Sequence, residues 1–278
     1  MGKSKRGQSE AVVTRFAMRD RSLLIDLGCS RRVLSSAPRG GGLVQARSII
    51  NHQVPDNPIQ DASHSPQTTG LPVVRRWGDP ARYLGLVAAG LQAPRPTVGL
   101  MTAVSLDRLM VCREQEEDLW VEGFLTVGVT NAVRAGEPTD LAGRRCVPQD
   151  AGTINIILIT NASLTVSAMI TAVQVATESK TAALLEAGVP SWTGRPGATG
   201  TGTDAVVVVG GDGPFMRYSG THTMIGALIG RLVGRAVAKA VGNPAGYRRS
   251  LSARPVRDPA RSRVSLADQA DKQYSDAE

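Results

Sequence analysis

Cysteine and histidine are both scarce in this chain, with three of each in 278 residues. Cys29, Cys112 and Cys146 are scattered and odd in number, and no C-x-x-C or H-x-x-x-H spacing occurs. That argues against a disulfide framework and against a structural zinc site. Aromatic residues make up only 4% of the sequence, so a core has to be assembled from Val, Leu, Ile, Ala and Met. No uncharged apolar run reaches the length of about 18 residues that a membrane-spanning helix needs. Lys3, Lys5 and Arg6 are not followed by a long apolar stretch, so no signal peptide is expected. A soluble protein of the reducing cytoplasm is the expectation. No Gly-Lys-Ser/Thr follows a glycine-rich loop, which removes the P-loop, and no G-x-S-x-G elbow is present.

What is present suffices for one sizeable domain, since 42% of residues are hydrophobic. The formal net charge of +8 points to nucleic acid until it is located. Residues 1–39 carry nine Lys/Arg against three acids, and residues 245–278 carry seven against five, which leaves 16 of each sign between them. A DNA-binding face would place its excess on a folded element, so solvated tails outrank a nucleic-acid partner. The expected organisation is a disordered basic tail over residues 1–10, one α/β domain over residues 11–242, and a second disordered basic tail over residues 243–278. Neither a membrane nor nucleic acid is an expected partner, and the sequence leaves a homo-oligomer open.

Residues 12–27 alternate weakly and predict one or two strands, and residues 31–38 predict a strand running into a loop. Gly40, Gly41 and Gly42 lead into residues 43–50, whose apolar spacing is helical. Residues 56–76 read as a polar surface loop. Asp79 and Pro80 predict an N-cap and first-turn proline for a helix that buries Tyr83, Leu84, Val87, Ala88 and Leu91. Residues 97–104 and 120–130 read as strands of a hairpin across a charged turn at 113–118, with residues 106–111 extending or pairing with the first. Residues 131–136 form a loop or short helix. Residues 152–159 carry the strongest strand signal. A long helix follows over residues 164–187, with Asn161 or Ser163 as N-cap, apolar on most faces and stopped by Gly188. Residues 205–209 are apolar without alternation and predict a central strand. The last helix, residues 223–240, carries Gly226, Gly230, Gly234 and Ala238 as a small-residue stripe for close packing. Strands alternating with long helices make this an α/β fold, a mixed β-sheet with long packed helices in a single domain.

The densest chemistry lies in residues 197–223. His222 stands at the mouth of the last helix, where the dipole favours a neutral imidazole suited to a general base; it reads also as a cap or a surface histidine. Asp204 lies between a hydroxyl-rich loop and a buried strand. It is placed to orient an imidazole or activate water, or to tie down its own loop. Thr199, Thr201 and Thr203 alternate with glycines and offer N–H and hydroxyl donors to a carbonyl, phosphate or oxyanion. That loop runs into a strand and not a helix, so it is no dinucleotide fingerprint. Glu178 reads as a buried carboxylate, as a partner of Lys180, or as solvent-facing. Asn131 and Asn155 sit at or in strands, where a side-chain amide either binds substrate or pairs structurally. Gly40, Gly41 and Gly42 form an anion or carbonyl site or, more simply, a turn needing positive φ. His52 is the second candidate imidazole.

Eight stretches, in this order and at this spacing, carry a resemblance. They are residues 35–42 (SSAPRGGG), 51–54 (NHQV), 98–103 (VGLMTA), 130–136 (TNAVRAG), 152–157 (GTINII), 176–180 (ATESK), 198–204 (ATGTGTD) and 218–223 (YSGTHT). Together they resemble the adenosylcobinamide amidohydrolases of corrinoid salvage, over about residues 33–241. That family often carries Asn where Gly40 stands here, which removes a side-chain amide at that place. The resemblance implies hydrolysis of the amide joining aminopropanol to a corrin propionate, giving adenosylcobyric acid and 1-amino-2-propanol. The corrinoid is then the partner, its cobalt arrives with it, and no further cofactor or metal is implied.

Amide hydrolysis needs an activated water or nucleophile, stabilisation of a tetrahedral oxyanion, and an acid for the leaving amine. Under the resemblance, His222 is assigned proton transfer, Asp204 orients it or shares the work, and Glu178 is a reserve base. Thr199, Thr201 and Thr203 supply oxyanion and corrin-amide donors. Gly40, Gly41, Gly42, Asn51, His52, Asn131, Arg134 and Asn155 are substrate contacts. Competing readings are a non-catalytic corrinoid-binding protein of the same fold, a phosphate or nucleotide enzyme using the glycine loops, and a nucleic-acid binder acting through its tails.

Overall fold

A computed structural model describes residues 13–54, 79–137 and 152–242. The expected tails and the expected loop over residues 56–76 lie outside the described residues. In chain order the strands and helices are β1 (Arg15–Arg19), β2 (Ser22–Ser35), β3 (Gly42–Gln53), α1 (Pro80–Gly90), β4 (Thr97–Thr102), β5 (Met110–Glu116), β6 (Leu119–Val127), β7 (Ala132–Val133), β8 (Ile154–Thr160), β9 (Ser163–Leu164), α2 (Val166–Glu186), β10 (Gly200–Thr201), β11 (Ala205–Val209), β12 (Phe215–Met216) and α3 (Met224–Ala240).

One mixed sheet runs β4-β3-β2-β11-β8-β6-β5, with β1 added to the first half of β2. The long β2–β3 hairpin changes register between Asp26 and Arg31, beside Gly28 at φ +74°. Beyond that irregularity the second half of β2 pairs with β11. A bulge bends the strand that carries it, and here the sheet doubles over on itself. The rings of Phe16 on β1 and Phe124 on β6 form an edge-to-face pair with centroids 5.2 Å apart, although these strands are not neighbours in the sheet.

Three apolar seams hold four layers together. Ile50 and Leu84 join α1 to the outer face of β3. Leu23, Ile49, Leu100, Phe124, Ile157 and Val207 fill the space between the two halves of the sheet. Leu125, Ile156 and Val208 meet Met169, Leu184 and Leu228 of α2 and α3 on the far face. The central strands β8 and β11 are parallel and buried throughout, as the unbroken apolar run at 205–209 predicts for β11. The α/β expectation therefore holds, and Asp79 caps α1 through the Arg82 N–H at 2.9 Å.

Some elements differ from the sequence reading. Residues 43–50 belong to strand β3, not to a helix. The start of β3 exposes Leu43, Gln45 and Arg47, whereas its end is covered on both sides, with Ile49 between the sheet halves and Ile50 under α1. That passage from one-sided to two-sided burial mimics helical spacing. Helix α2 is capped by Thr165, whose Oγ1 accepts from Ala168 N at 3.1 Å. Neither Asn161 nor Ser163 fills that role, because Ser163 is bridged to β12. The charged residues 113–116 continue β5, and only Glu117 and Asp118 turn. Residues 132–133 form the short strand β7, paired with β10.

The glycine stripe of α3 is used unevenly. A Cβ on Gly226 would overlap the carbonyl of Gly220, and on Gly230 it would come 3.2 Å from Ser179 Oγ of α2. A backbone carbonyl held in a turn yields less easily than a hydroxyl on a rotor. Gly226→Ala is expected to lower unfolding free energy by roughly 1–3 kcal/mol in urea titrations. Gly230→Ala is expected to stay within about 1 kcal/mol of wild type, helped by alanine's better helix propensity.

Candidate active site

The nominated residues fall at two opposite ends of the central strands. Asp204 immediately precedes β11, at the end where Asn155 of β8 lies beside Ala205. His222 follows the far end: residues 211–223 run along the first turns of α2, held by Gly211 N to Ala162 O at 2.7 Å and Ser219 Oγ to Ala168 O at 2.5 Å. Asp204, by contrast, meets α2 at Lys180. Ala168 and Lys180 are about 18 Å apart along the helix axis, at 1.5 Å of rise per residue. His222 is exposed, and no described residue hydrogen-bonds its ring. A dyad of Asp204 and His222 is therefore not formed. Glu178 also lies on the exposed side of α2, away from Asp204.

Asp204 is committed to its surroundings. Its carboxylate accepts from Lys180 Nζ at 2.5 Å, Thr201 Oγ1 at 2.5 Å, Thr201 N at 3.1 Å and Ile154 N at 3.0 Å. Lys180 is 7% exposed, and the pair joins α2, the loop before β11 and the first residue of β8. This is the loop-tying role expanded into a three-way anchor. Thr199 and Thr201 are similarly engaged: Thr199 N donates to Val133 O at 2.9 Å, and Ala135 N donates to Thr199 Oγ1 at 2.9 Å. Thr203 Oγ1 donates to Thr153 Oγ1 at 2.8 Å, and Thr153 Oγ1 donates to Thr203 O at 3.0 Å. The donors expected of this loop for an oxyanion are thus largely taken up within it. Arg134 Nη1 donates to Gly197 O at 3.0 Å, which fastens the neighbouring strand–loop to the same region.

Two of the nominated asparagines satisfy each other. Asn155 Nδ2 donates to Asn51 Oδ1 at 2.9 Å and to Met101 O at 2.8 Å, and Asn51 Nδ2 donates to Thr126 Oγ1 at 3.2 Å. This chain of amides crosses from β3 and β4 to β6 and β8 and pins the two halves of the sheet together. Asn131 differs: its Oδ1 is buried with no hydrogen-bond partner. Gly40 and Gly42 adopt φ +67° and +84°, and a Cβ on Gly41 would sit 2.6 Å from Ala37 O, so the triplet is needed for the turn itself.

His52 points away from the amides, toward α1. Its Nδ1 lies 2.8 Å from Ser22 Oγ and its Nε2 2.8 Å from Tyr83 Oη. Ser22 Oγ donates to Asp20 O at 3.2 Å, which leaves it to accept from Nδ1–H, with Tyr83 O–H donating to Nε2. Burial first, and then the charge of Arg21, lowers its pKa from 6.5 to about 4. The neutral ring is a structural bridge between β2, β3 and α1.

Lys180, Thr153 and Thr126 were not singled out from sequence. Lys180 was within reach: Ala176, Ala183 and Leu184, its neighbours at four, three and four residues, are all buried, so helical spacing puts the ammonium on the core face, where it requires a partner. Thr153 and Thr126 carry no such signal in a strand.

Seven of the eight stretches meet at this end. Ser36 N donates to Val206 O at 3.1 Å, and Gly99 N to Arg39 O at 3.0 Å; the bonds of Asn155, Ala135, Asp204 and Lys180 supply the remaining links. The stretch at 218–223 lies at the other end. A hollow of about 490 Å³ opens beside the cluster, lined by Val129, Thr130, Val189, Trp192 and Val241. A larger one of about 880 Å³, between β5 and α3, adjoins it at Ala240 and contains Cys112, whose thiol is pushed up to about 12 by burial and then by Glu114. Such a thiol stays protonated and unreactive.

Fold and site together define a doubled-sheet α/β protein with a hydroxyl- and amide-lined edge beside a small hollow. The chain belongs to the adenosylcobinamide amidohydrolase family, whose model matches residues 6–248. It is 34% identical over 223 residues to an uncharacterized protein of Methanocaldococcus jannaschii, covering 75% of this chain and 80% of that one. It is 33% identical over 169 residues to an adenosylcobinamide amidohydrolase of Methanosarcina mazei, covering 60% of this chain and 64% of that one. A solved Burkholderia sp. beta-aminopeptidase aligns with 84% of this chain and 87% of its own at 11% identity, with a TM-score of 0.39, too loose to bear on chemistry.

Two stability predictions follow from these contacts. Asp204→Asn strands a buried ammonium and is expected to cost about 3–5 kcal/mol in urea unfolding. Adding Lys180→Met is expected to recover most of that loss, and a double-mutant cycle reads the coupling. For His52, the folded pKa lies below the unfolded value, so the unfolded chain binds the extra proton between pH 6.5 and about pH 4. Its contribution is complete above pH 6.5 and lost as pH falls through that window, up to about 3 kcal/mol. The stability difference between wild type and His52→Gln is expected to shrink accordingly from pH 7 to pH 4.

Proposed function

We propose that this protein hydrolyses the aminopropanol amide of adenosylcobinamide, giving adenosylcobyric acid and 1-amino-2-propanol, in the cytoplasmic salvage of corrinoids. The observation that supports this most is the meeting of seven separated family-like stretches at one end of β8 and β11. Packing alone needs no such gathering of hydroxyls, amides and one paired charge at a sheet edge, whereas binding sites are mounted this way on rigid strands. The hollow beside Thr130 gives an amide-bearing arm somewhere to enter. The cobalt enters as part of the substrate. Within this reading the chemistry is staged around Asn131, Thr153 and Thr203, and His222 stands outside it.

The test is incubation of the full chain with adenosylcobinamide. Mass spectrometry is expected to find adenosylcobyric acid, and an amine assay an equal amount of 1-amino-2-propanol. Tight corrinoid binding with neither product would leave the non-catalytic binding protein as the reading.

A further inference from the structure

The sheet ends at β5, which among the described residues pairs on one side only, with β6. The hollow of about 880 Å³ lies beside it, and residues 110–115 all line it without a gap. Side chains of a strand point alternately to its two faces, so a hollow on one face would meet every second residue. This hollow therefore runs along the edge of β5, where peptide N–H and C=O groups have no neighbouring strand. The opposite wall is one stripe of α3, in which Leu232, Arg235, Ala236, Lys239 and Ala240 recur at helical spacing.

The rim offers both donors and acceptors. Arg235 is held by Glu114 at 2.6 Å, whereas the exposed side chains of Arg108 and Lys239 form no hydrogen bond or ion pair with a described residue. Glu117 adds an exposed carboxylate. A free strand edge with mixed polar groups around it complements a ligand rimmed with carboxamides, since each carboxamide both donates and accepts. The hollow also touches the candidate site. It reaches Val127, which is paired with Ile154 beside the Asp204 anchor, and through Ala240 it adjoins the smaller hollow at Thr130. Its volume stands near the upper end of ligand cavities, which span about 300–1,000 Å³. A free edge alone would equally suit a strand from another chain. A large hollow opening into a small one suits a ligand with a body and an arm. We infer that the hollow between β5 and α3 binds the corrin macrocycle, its peripheral amides along the edge of β5, while the aminopropanol arm passes Ala240 into the smaller hollow. This rests on the amidohydrolase reading above.

The experiment titrates full-length wild type, Ala236→Trp and Lys239→Glu with adenosylcobinamide and with adenosylcobyric acid, following corrinoid absorbance. The second ligand keeps the macrocycle and lacks the arm. Ala236→Trp fills the hollow from the α3 wall, and Lys239→Glu removes a donor from its rim. Both variants are expected to weaken binding of both ligands by about tenfold or more, as loss of a hydrogen bond to a charged group does. In turnover assays the loss is expected in KM and not in kcat, the mark of binding shared by ground and transition state. If Ala236→Trp binds both ligands within about twofold of wild type, the assignment is overturned. Should Ala236→Trp fail to fold, Lys239→Glu decides alone by the same limit. Weakened binding of adenosylcobinamide with adenosylcobyric acid unaffected gives the hollow to the arm and overturns the assignment. A change in sedimentation with corrinoid binding intact gives the free edge to a second copy and overturns it too. Wild type that binds both corrinoids more tightly than the variants, yet releases no 1-amino-2-propanol, supports the subsite and removes the amidohydrolase reading. Wild type that binds neither corrinoid overturns the subsite.

Discussion

A lysine ammonium on the core face of a helix must have an anion, and that requirement governs this end of the molecule. Lys180 finds it in Asp204, whose remaining lone pairs are filled by Thr201 and the Ile154 N–H. Removing one partner would leave an uncompensated charge in a poorly polarisable interior, which is far worse than never having had the pair. The pair therefore sets the position of the loop before β11 against both α2 and β8. Strands β7 and β10, the Arg134 tether and the Thr153–Thr203 contact all hang on that loop. Asp204 thus fixes the geometry of this region through four acceptor contacts.

The amide chain through Asn51 and Asn155 works with the anchor from the other side. Two polar groups between apolar sheet faces are tolerable only when they satisfy each other, and these do so across strands that are not sheet neighbours. They fix how the sheet closes on itself, which a purely apolar seam of Val, Ile and Leu leaves free to slide. The anchor and the amide chain meet on β8, at Ile154 and Asn155. Gly152, with Asn131 against it, and Thr153 immediately precede that strand.

Much of the fold was legible in the sequence because local signals agreed with it. The valine run at 206–209 and the isoleucine-rich 154–159 had the length and composition of covered strands, and Asp79-Pro80 and Gly188 marked helix ends. Residues 43–50 were not legible, since burial changes sides along β3 and disguises the period. The site was legible as a set of stretches and not as a set of contacts. Whether Asp204 meets His222 depends on which end of β11 each occupies, and a chain that leaves a strand at its far end returns only by a crossover. Here residues 211–223 stay at the far end, where β12 pairs with β9, and the chain returns only through α3, after His222. Lys180 was readable from helical spacing, but what lies against Asn131 depends on Gly152, just before β8, arriving from elsewhere in the chain.

The stretch at 218–223 has a physical account that needs no chemistry. Ser219 is fully buried and bonds the Ala168 carbonyl in the first turn of α2. The Gly220 carbonyl lies against Gly226 so closely that only glycine fits there, and it accepts from Thr223 N at 2.9 Å. Thr223 Oγ1 in turn accepts from Gly226 N at 3.1 Å and caps α3. Ser219 and Thr223 thus seat α3 on α2, and the glycine that this packing demands is Gly226, on the helix itself. His222 is exposed, and Phe215 and Tyr218 of the same segment are each 67% exposed, so the segment presents an open surface. The contacts at this end join two helices, while those at the other end bring seven separated stretches together.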